Sequence, residues 1–320
     1  MTQVAILDDY QNVALEMADW NALPSSVEVH VFDDHVADLD GVAARLAEFE
    51  VVCAMRERTP FPRALIERLP NLKLLITSGM RNAALDLEAA AEAGITVCGT
   101  RSSGHATAEL TWGLILCLLR HLPMEHESVV EGGWQVGIGN DLDGKTLGVI
   151  GLGRLGRRVA AVGRAFDMKV IAWSQNLTAE RAAEHGAERV ELDELLSRAD
   201  VVTIHVVLSE RTRDLLGREQ LAKMKPSAIL INTSRGPIVN EQALVAALTR
   251  RQIRGAGLDV YATEPLPYDH PIRHLSNVVL TPHIGYVTEE AYRFFYGDMV
   301  ENIQAYLDGK PVRVITPSGS

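Results

Sequence analysis

The chain has 320 residues, of which 47% are hydrophobic, and a formal net charge of −11 at pH 7. This length favours two domains over one, and the negative charge argues against a surface for nucleic acid or anionic membrane, because both would be repelled. The three cysteines, Cys53, Cys98 and Cys117, lie singly in apolar segments, so we expect reduced buried thiols and neither a disulfide framework nor a metal site.

Over the first hundred residues, short apolar runs typical of β-strands alternate with amphipathic stretches of helical spacing. The predicted strands span residues 4–7, 27–32, 51–55, 72–76 and 95–98. Helical spacing is found over 42–49 and 62–69, between strands. Because strands that alternate with helices usually lie parallel in one sheet, this part of the chain predicts a doubly wound α/β unit.

The segment after the fifth strand predicts the first passage of the chain out of this unit. The loop 99–104 is rich in glycine and serine and precedes a helical pattern over 106–119. The apolar stretch 110–122 contains Arg120 and His121 and is too short to span a bilayer. Since no basic leader precedes the first apolar run, we expect a cytoplasmic protein with no membrane partner.

A second series of alternating strands and helices begins near residue 146. Its predicted strands span residues 146–150, 169–173, 201–206, 228–231, 257–260 and 278–280. The chain should pass back near Gly285, and the helical pattern over 289–307 should then pack on the first unit, because no further strand follows it. We therefore predict two doubly wound parallel-sheet domains with a cleft between them. The predicted bounds are 1–101 with 288–320 for one domain and 102–287 for the other.

The most specific local motif is the glycine-rich turn after the predicted strand 146–150. Gly151, Gly153 and Gly156 form a GxGxxG pattern, and apolar residues recur at helical spacing over 157–166. The first glycine permits a tight turn, the second leaves room for a pyrophosphate, and the third lets the helix approach the strand. Free N–H groups at the helix N-terminus would bind the phosphates, so the motif predicts a dinucleotide site. A glycine loop without a ligand is the plainer interpretation.

Three polar side chains follow successive predicted strands of the second domain. Arg235, Glu264 and His283 each come shortly after one of its last three strands. Ligands of open α/β sheets bind beyond the carboxyl ends of the strands, so we expect these residues beside the cofactor. His185 and His205 receive no role, because no predicted strand ends directly before them.

These residue types suit hydride transfer to or from a carbon that bears oxygen. Histidine can exchange the proton of that oxygen near neutral pH, which makes His283 the candidate acid and base. A carboxylate such as Glu264 stabilises the imidazolium, and the guanidinium of Arg235 can bind a substrate carboxylate and polarise the adjacent carbonyl. Each residue taken singly also fits an ordinary loop position, but the three together favour an active site.

These motifs resemble those of the D-isomer-specific 2-hydroxyacid dehydrogenases, which include phosphoglycerate dehydrogenase and the glyoxylate/hydroxypyruvate reductases. The resemblance covers almost the whole chain. It is carried by Gly151-Leu-Gly-Arg-Leu-Gly156, Ile231-Asn-Thr-Ser-Arg-Gly-Pro237, Gly257-Leu-Asp-Val-Tyr-Ala-Thr-Glu-Pro265 and Leu280-Thr-Pro-His-Ile-Gly285, with Thr107-Ala-Glu109 in the helix after the first passage. The expected fold is a Rossmann nucleotide-binding domain inserted in a flavodoxin-like substrate domain.

The resemblance implies roles for the matching residues. Arg235 would bind and polarise the 2-oxo acid, with His283 as the acid and base and Glu264 as its partner. Asp259 would contact the nicotinamide end, and Leu155 with Gly156 would cover the pyrophosphate. The other residues that we expect at the cofactor are Arg154 and Thr233.

Further implications concern the substrate and the partners. The turn Ser78-Gly79-Met80 in the first domain would offer backbone N–H groups to the substrate carboxylate. The family is usually dimeric, with the helix from Ala106 and the region around Trp134 at the contact, so we expect a homodimer. The remaining expected partner is a small 2-oxo or 2-hydroxy acid, with no nucleic acid and no metal.

Cofactor choice is open because the chain departs from the family pattern after the strand that follows the glycine turn. NAD-preferring members commonly carry an acidic residue where this chain has Ser174. Without that carboxylate the ribose 2′-OH loses an acceptor and a 2′-phosphate is not repelled. No arginine occupies 174–176, and Arg154 and Arg181 are the nearest cations in the sequence. We favour NAD over NADP.

Two further departures lie near the expected site. Val206-Val-Leu208 replaces a segment that usually contains proline and forms part of the cofactor wall. Tyr286 stands where a small residue is common, and it would either narrow the pocket and bind the substrate or pack at the hinge.

The predicted activity is reversible reduction of a small 2-oxo acid, such as glyoxylate or hydroxypyruvate, to the D-2-hydroxy acid. A second hypothesis is oxidation of a simple anion, as in the related formate and phosphite dehydrogenases. Formate members pair the histidine with glutamine, so Glu264 argues against formate but not against phosphite. A third hypothesis is a non-catalytic NAD-sensing corepressor, which shares the scaffold.

Overall fold

The computed structural model describes residues 1–102 and 104–317. The chain divides into two compact units, Met1–Ser103 with Val287–Ser320, and Gly104–Tyr286. The predicted domain bounds, 1–101 with 288–320 and 102–287, describe parts of the chain that would fold separately. They stay a prediction. The predicted passage loop 99–104 contains Ser103, which lies outside the described residues. In the part of the chain that is described, no helix has both the length and the apolar character needed to cross a membrane.

The first unit is built on a five-stranded parallel sheet with strand order β2-β1-β3-β4-β5. Its strands are β1 (Thr2–Ile6), β2 (Val27–Val31), β3 (Val51–Ala54), β4 (Leu74–Thr77) and β5 (Thr96–Cys98). Its helices are α1 (Ala14–Met17), α2 (Leu39–Leu46), α3 (Arg63–Ile66), α4 (Leu87–Glu92) and α12 (Glu289–Leu307). This is the flavodoxin-like strand order. All residues of β3 and β4 are buried, because helices cover both faces of the sheet.

The helix α12 returns to the first unit, as predicted, and contacts α1 and β4. It begins where the hydroxyl of Thr288 accepts the amide of Ala291 at 3.2 Å. Tyr292, Phe295 and Tyr296 repeat at helical spacing and are all buried. Packing of this face explains why the helix has the bounds that the apolar spacing predicted.

The second unit has a seven-stranded parallel sheet with strand order β12-β11-β10-β9-β6-β7-β8. Its strands are β6 (Thr146–Ile150), β7 (Lys169–Trp173), β8 (Glu188–Arg189), β9 (Val201–Ile204), β10 (Ile229–Asn232), β11 (Gly255–Leu258) and β12 (Val278–Leu280). Its helices are α5 (Ala106–Leu119), α6 (Leu122–Val130), α7 (Arg154–Ala165), α8 (Ala179–Ala183), α9 (Leu192–Arg198), α10 (Arg218–Lys223) and α11 (Glu241–Thr249). The strand order reverses between β6 and β9, where open α/β sheets bind their ligands.

The hydrogen-bond ladder of this sheet continues one residue beyond the strand ends. The amides of Gly151, His205, Asp259 and Thr281 donate to the carbonyls of Trp173, Ile150, Asn232 and Leu258, at 2.7 to 3.0 Å. Six residues are thereby placed side by side at the carboxyl edge. We call them the strand-end row, which in sheet order is Ser174, Gly151, His205, Thr233, Asp259 and Thr281. The candidate residues Arg235, Glu264 and His283 lie in loops that continue from this row.

Several predicted bounds need correction, among them the strand predicted over 257–260, which spans Gly255–Leu258. The strand predicted over 201–206 ends at Ile204, so His205 is the first residue after its carboxyl end. The short edge strand β8 was not predicted. Cys53 and Cys98 are buried, as predicted, whereas Cys117 is only half-buried.

Candidate active site

Close backbone contacts shape the glycine turn between β6 and α7. Gly151 has a φ of +99°, and a Cβ there would lie 2.8 Å from the carbonyl carbon of His205. A Cβ at Gly156 would collide with the carbonyl of Gly151, so only glycine lets α7 approach the turn this closely. A Cβ at Gly153 would meet no atom within 4 Å. The middle glycine therefore faces open space, as a dinucleotide site requires.

The first turn of α7 leaves N–H groups for an anion. Side-chain oxygens cap five other helices, those of Asp38, Asp86, Thr178, Asn240 and Thr288. The helix α7 instead begins at Gly153 without a side-chain cap, so the amides of its first three residues, 154–156, have no acceptor among the described residues. Free amides and the helix dipole favour a phosphate here, and the turn thus fits the pyrophosphate of a dinucleotide.

Ser174 follows β7 and is the neighbour of Gly151 in the strand-end row. The residue is half-buried, and its carbonyl accepts the amide of Leu177 at 3.0 Å, so the chain turns tightly after the strand. The neighbouring side chains, Gln175 and Asn176, are exposed and uncharged. This end of the row therefore offers hydroxyl and amide groups to a ribose but no charge.

Arg235 lies in the loop after β10 and is half-buried. Its carbonyl accepts Nδ2 of Asn232 at 3.0 Å, and its Nη1 donates to the carbonyl of Ser234 at 2.7 Å. A Cβ at Gly236 would collide with the backbone of Tyr261, so this loop packs tightly on the loop after β11. Local contacts thus hold a guanidinium at the carboxyl edge of the sheet.

Glu264 and His283 lie in the loops after β11 and β12 and are joined by a hydrogen bond. Nδ1 of His283 donates to Oε2 of Glu264 at 2.6 Å. Because an ionised carboxylate can only accept, this contact assigns the ring hydrogen to Nδ1 and leaves Nε2 for a reacting group. Oε1 of Glu264 accepts the amide of Tyr261 at 2.9 Å, which fixes the carboxylate. The side chain of His283 is 20% exposed, so the ring can be reached by a substrate.

Asp259 of the strand-end row holds the loop that carries His283. Its Oδ1 accepts the hydroxyl of Thr281 at 2.6 Å and the amide of Ile284 at 2.8 Å, and its Oδ2 accepts the amide of Gly285 at 2.8 Å. Burial raises the pKa of Asp259, and these hydrogen bonds oppose the rise. The loop needs this support because His283 has a φ of +55°, a backbone conformation that residues other than glycine rarely adopt.

Two threonines of α5 fasten the strand-end loops from the neighbouring helix. The hydroxyl of Thr107 donates to the carbonyl of Gly285 at 2.7 Å. The hydroxyl of Thr111 lies 2.8 Å from the carbonyl of Thr107 and 2.9 Å from the hydroxyl of Thr233. If Thr111 donates to the carbonyl, Thr233 donates to Thr111, and both hydroxyls are satisfied. Thr233 is thereby fixed in the row between His205 and Asp259.

Tyr286 ends the second unit and contacts His283. Its ring meets the ring of His283 edge to face, with centroids 5.5 Å apart and planes at 77°. The residue is half-buried. Tyr286 therefore forms one wall of the space around the imidazole.

The turn Ser78-Gly79-Met80 follows β4 in the first unit, and two of its amides are already used. The amide of Ser78 donates to the carbonyl of Ala54 at 3.1 Å, and that of Gly79 donates to the hydroxyl of Thr100 at 2.7 Å. The amide of Met80 has no acceptor among the described residues. The expectation that the whole turn offers N–H groups is therefore corrected to Met80 alone.

Arg56 lies beside this turn and was not singled out from the sequence. Its Nη1 donates to the carbonyl of Ser78 at 3.1 Å, and a Cβ at Gly79 would collide with the same guanidinium. Gly79 also has a φ of +86°. The signal in the sequence was the position of Arg56 just after β3, a strand that pairs with β4. A cation thus joins the Met80 amide at this edge of the first sheet.

Across the described residues, no group of three or more histidine, cysteine or acidic side chains is arranged to hold a metal ion. The Glu264–His283 pair, the guanidinium of Arg235 and the glycine turn all lie at the carboxyl edge of the second sheet.

Residues 112–285 match the family model described as the NAD-binding domain of D-isomer specific 2-hydroxyacid dehydrogenases. The chain is 39% identical over 289 residues to D-3-phosphoglycerate dehydrogenase of Synechocystis sp., covering 87% of this chain and 52% of that protein. It thus spans about half the length of that relative. It is 32% identical over 323 residues to hydroxypyruvate reductase of Blautia hydrogenotrophica, covering 98% of this chain and 99% of that protein.

The fold is likewise shared with solved structures. The crystal structure of phosphoglycerate oxidoreductase from Vibrio cholerae O395 matches with a TM-score of 0.92 and 36% identity. The match covers 97% of this chain and 100% of that one. Both parallel sheets and the Rossmann fold predicted from the sequence are confirmed by this likeness.

Proposed function

Because the chain belongs to the D-isomer-specific 2-hydroxyacid dehydrogenase family, we propose that it interconverts a small 2-oxo acid and the D-2-hydroxy acid by hydride transfer with a nicotinamide dinucleotide. The observation that carries the proposal is the hydrogen bond of 2.6 Å between Glu264 and His283. This pair lies at the same sheet edge as Arg235 and the glycine turn, so the acid–base group, the anion-binding group and the cofactor turn share one edge.

The side chains divide the chemistry between them. The free amides of residues 154–156 would hold the pyrophosphate of a nicotinamide dinucleotide, which would supply the hydride for C2 in reduction and accept it in oxidation. Protonated His283 gives its Nε2 proton to the C2 oxygen in reduction and takes it back in oxidation. Glu264 holds Nδ1–H and compensates the charge of the imidazolium. Arg235 binds the substrate carboxylate through its fork of donors and polarises the C2 carbonyl.

Substrate choice is the finer part of the proposal. We propose short 2-oxo acids such as glyoxylate or hydroxypyruvate, and the hydroxypyruvate reductase that matches over its whole length supports this. Tyr286 packs on the ring of His283 and would limit the substituent at C3 of the acid. In the first unit, the Met80 amide and the guanidinium of Arg56 are the groups proposed to bind an anion.

NAD is the proposed cofactor in preference to NADP. Two arginines in the first turn of α7 contact groups other than Ser174: the guanidinium of Arg154 lies against Gly104, and Nη1 of Arg157 lies 3.4 Å from Nε2 of His185. Uncharged groups at the end of β7 suit a ribose hydroxyl, whereas a 2′-phosphate is usually bound by arginine.

A homodimer is the proposed assembly. The helix α6 has no buried residue. Large apolar side chains are exposed along α6 and the segment after it, namely Leu122, Met124, Val129, Val130, Trp134, Val136 and Ile138. An exposed apolar patch of this kind commonly marks a protein interface. A cytoplasmic location stays a prediction from the sequence.

A panel of 2-oxo acids, each assayed by cofactor absorbance with NADH and with NADPH, tests the proposal. We expect turnover of at least one short 2-oxo acid, a D-configured product wherever C2 is a stereocentre (as in the product of hydroxypyruvate), and loss of turnover in His283→Ala with dinucleotide affinity unchanged. Phosphite and formate, assayed in the oxidative direction with NAD, serve as the alternative substrates. If the purified protein binds the dinucleotide but turns over no 2-oxo acid, the proposal fails.

A further inference from the structure

His205 occupies the position in the second sheet where the strand order reverses. Its amide donates to the carbonyl of Ile150 at 2.7 Å, which places it between Gly151 and Thr233 in the strand-end row. A Cβ at Gly151 would lie 2.8 Å from its carbonyl oxygen, so its backbone directly abuts the pyrophosphate turn. Crevices at such reversals are where doubly wound sheets bind dinucleotides.

The side chain of His205 points to the face on which α5 and α7 pack. Val149, Thr203 and Ile231 lie opposite one another in register, and Val149 and Ile231 pack in the core cluster of those helices. Side chains two positions apart on a strand share a face, so His205 returns to the face of Thr203. Consistent with this, Nε2 of His205 lies 3.1 Å from the hydroxyl of Thr203.

The imidazole of His205 is neutral and keeps one nitrogen for a ligand. The residue retains some exposed surface, but the dense protein around the ring lowers its pKa to about 4. Its contact with Thr203 is the only hydrogen bond of the ring among the described residues. When the Thr203 hydroxyl donates to Nε2, Nδ1 carries the hydrogen of the neutral ring and can donate it to an oxygen of a ligand.

We propose that His205 binds the dinucleotide by donating a hydrogen bond from Nδ1 to an oxygen on the nicotinamide side of the pyrophosphate. The position of His205 in the strand-end row is the reason for choosing the nicotinamide side. Ser174 lies at the adenosine end and Gly151 at the pyrophosphate, whereas Thr233 and Asp259 lead to the loop of His283. This inference rests on the proposed function, since it needs a dinucleotide in the site. No sequence motif marked the residue.

The test measures dinucleotide affinity, by quenching of protein fluorescence with NADH and with NADPH in the absence of a 2-oxo acid. We expect His205→Leu to raise the dissociation constant about three- to tenfold, the loss of one neutral hydrogen bond. His205→Asn keeps a donor near the position of Nδ1 and should stay within about twofold of the wild type. His274→Leu, at an exposed histidine of the same unit, is the matched control and should not change the constant.

A steady-state measurement separates binding from support of the fold. In His205→Leu the KM for the dinucleotide should rise, while the KM for the 2-oxo acid at saturating dinucleotide should not. If the dissociation constant of a folded His205→Leu protein rises less than about threefold, the inference is wrong. If this variant does not fold, Thr203→Val decides by the same threshold, because it keeps the imidazole and removes the hydroxyl that orients it. If the wild type binds no dinucleotide, the proposed function itself fails.

Discussion

Oδ2 of Asp259 accepts the backbone amide of Gly285 at 2.8 Å, and this contact fastens the loop of His283 to the end of the neighbouring strand. Oδ1 of the same carboxylate holds Ile284 and Thr281. A residue such as His283 in a positive-φ conformation persists only when its surroundings impose it, at a cost of about 1–3 kcal/mol. The position of the imidazole therefore depends on a carboxylate that need not touch the substrate.

Asp259→Asn should lower kcat about tenfold or more. The side-chain NH2 of asparagine would face at least one of the groups that now donate to Asp259, namely the Thr281 hydroxyl and the amides of Ile284 and Gly285. Two donors cannot hydrogen-bond to each other, so the loop would shift. The free energy of unfolding should fall by about 2 kcal/mol, measured by urea denaturation. Thr281→Val removes only the hydroxyl contact and should have a smaller effect on both quantities. A wild-type kcat in Asp259→Asn would refute the role of this carboxylate in holding the loop.

Glu264→Gln should lower kcat about a hundredfold and leave dinucleotide affinity unchanged, because the amide cannot compensate the charge of the imidazolium. The chain offers a matched control in His270 and Glu241, whose Nε2 and Oε1 atoms lie 3.0 Å apart in the same unit. Glu241→Gln should leave kcat within about twofold of the wild type. Equal effects of the two substitutions would contradict the assignment of Glu264.

Ser174→Asp should shift the cofactor preference further towards NAD. The new carboxylate would accept the ribose 2′-OH and repel a 2′-phosphate. The ratio of the dissociation constants for NADPH and NADH should rise about tenfold or more, measured by fluorescence titration. Ser197→Asp, at an exposed serine of α9, adds the same charge elsewhere and should leave the ratio unchanged. No change in the ratio for Ser174→Asp would place the adenosine ribose away from this residue.

Stability should fall on acidification partly because of His205, whose pKa is lowered from 6.5 to about 4. Between these values the unfolded chain takes up a proton that the folded protein does not. The stabilisation is fully present above about pH 6.5 and is lost as the pH falls towards 4. Urea denaturation at pH 7.5 and 4.5 should show a smaller loss for His205→Asn than for the wild type, by about 2 kcal/mol. His274→Asn should lose as much as the wild type; equal losses in all three proteins would contradict the neutral ring.

Trp134→Glu should shift the protein from dimer to monomer in sedimentation velocity. Trp134 is 74% exposed in the apolar segment around α6, and a buried unpaired carboxylate at an interface would oppose association. Tyr268→Glu is the control, because Tyr268 is 95% exposed outside this segment. A wild-type protein that sediments as a monomer would overturn the proposed dimer.

Periodic apolar patterns predicted part of this fold closely. The bounds of β6, β7, β12, α5 and α12 agree with those predicted, because strong apolar spacing coincides with buried faces. The strand predicted over 201–206 was too long, since apolar residues continue past the point where pairing ends. This error concealed His205, which then seemed to lie inside a strand. Element ends depend on tertiary pairing, which local pattern does not encode.

The chemistry of the site could be predicted only where a residue type had a motif. Arg235, Glu264 and His283 were singled out because they follow strands, and the structure joins two of them through the Glu264–His283 contact. The fold brings Thr100 and Arg56, each more than twenty residues away in sequence, to the turn at Gly79. Thr100 accepts the Gly79 amide, and the guanidinium of Arg56 lies against the turn. No spacing rule signals such contacts.

The short strand β8 bears on how this protein avoids self-aggregation. It forms one outer edge of the seven-stranded sheet, and it has only two residues, Glu188 and Arg189. Nη2 of Arg198 lies 2.7 Å from Oε2 of Glu188, so a charged pair flanks the edge. A further chain seeking to extend the sheet would find few free backbone groups and would have to desolvate these charges. Replacing Glu188 and Arg189 with valine would therefore favour pairing of this edge with a strand of another molecule.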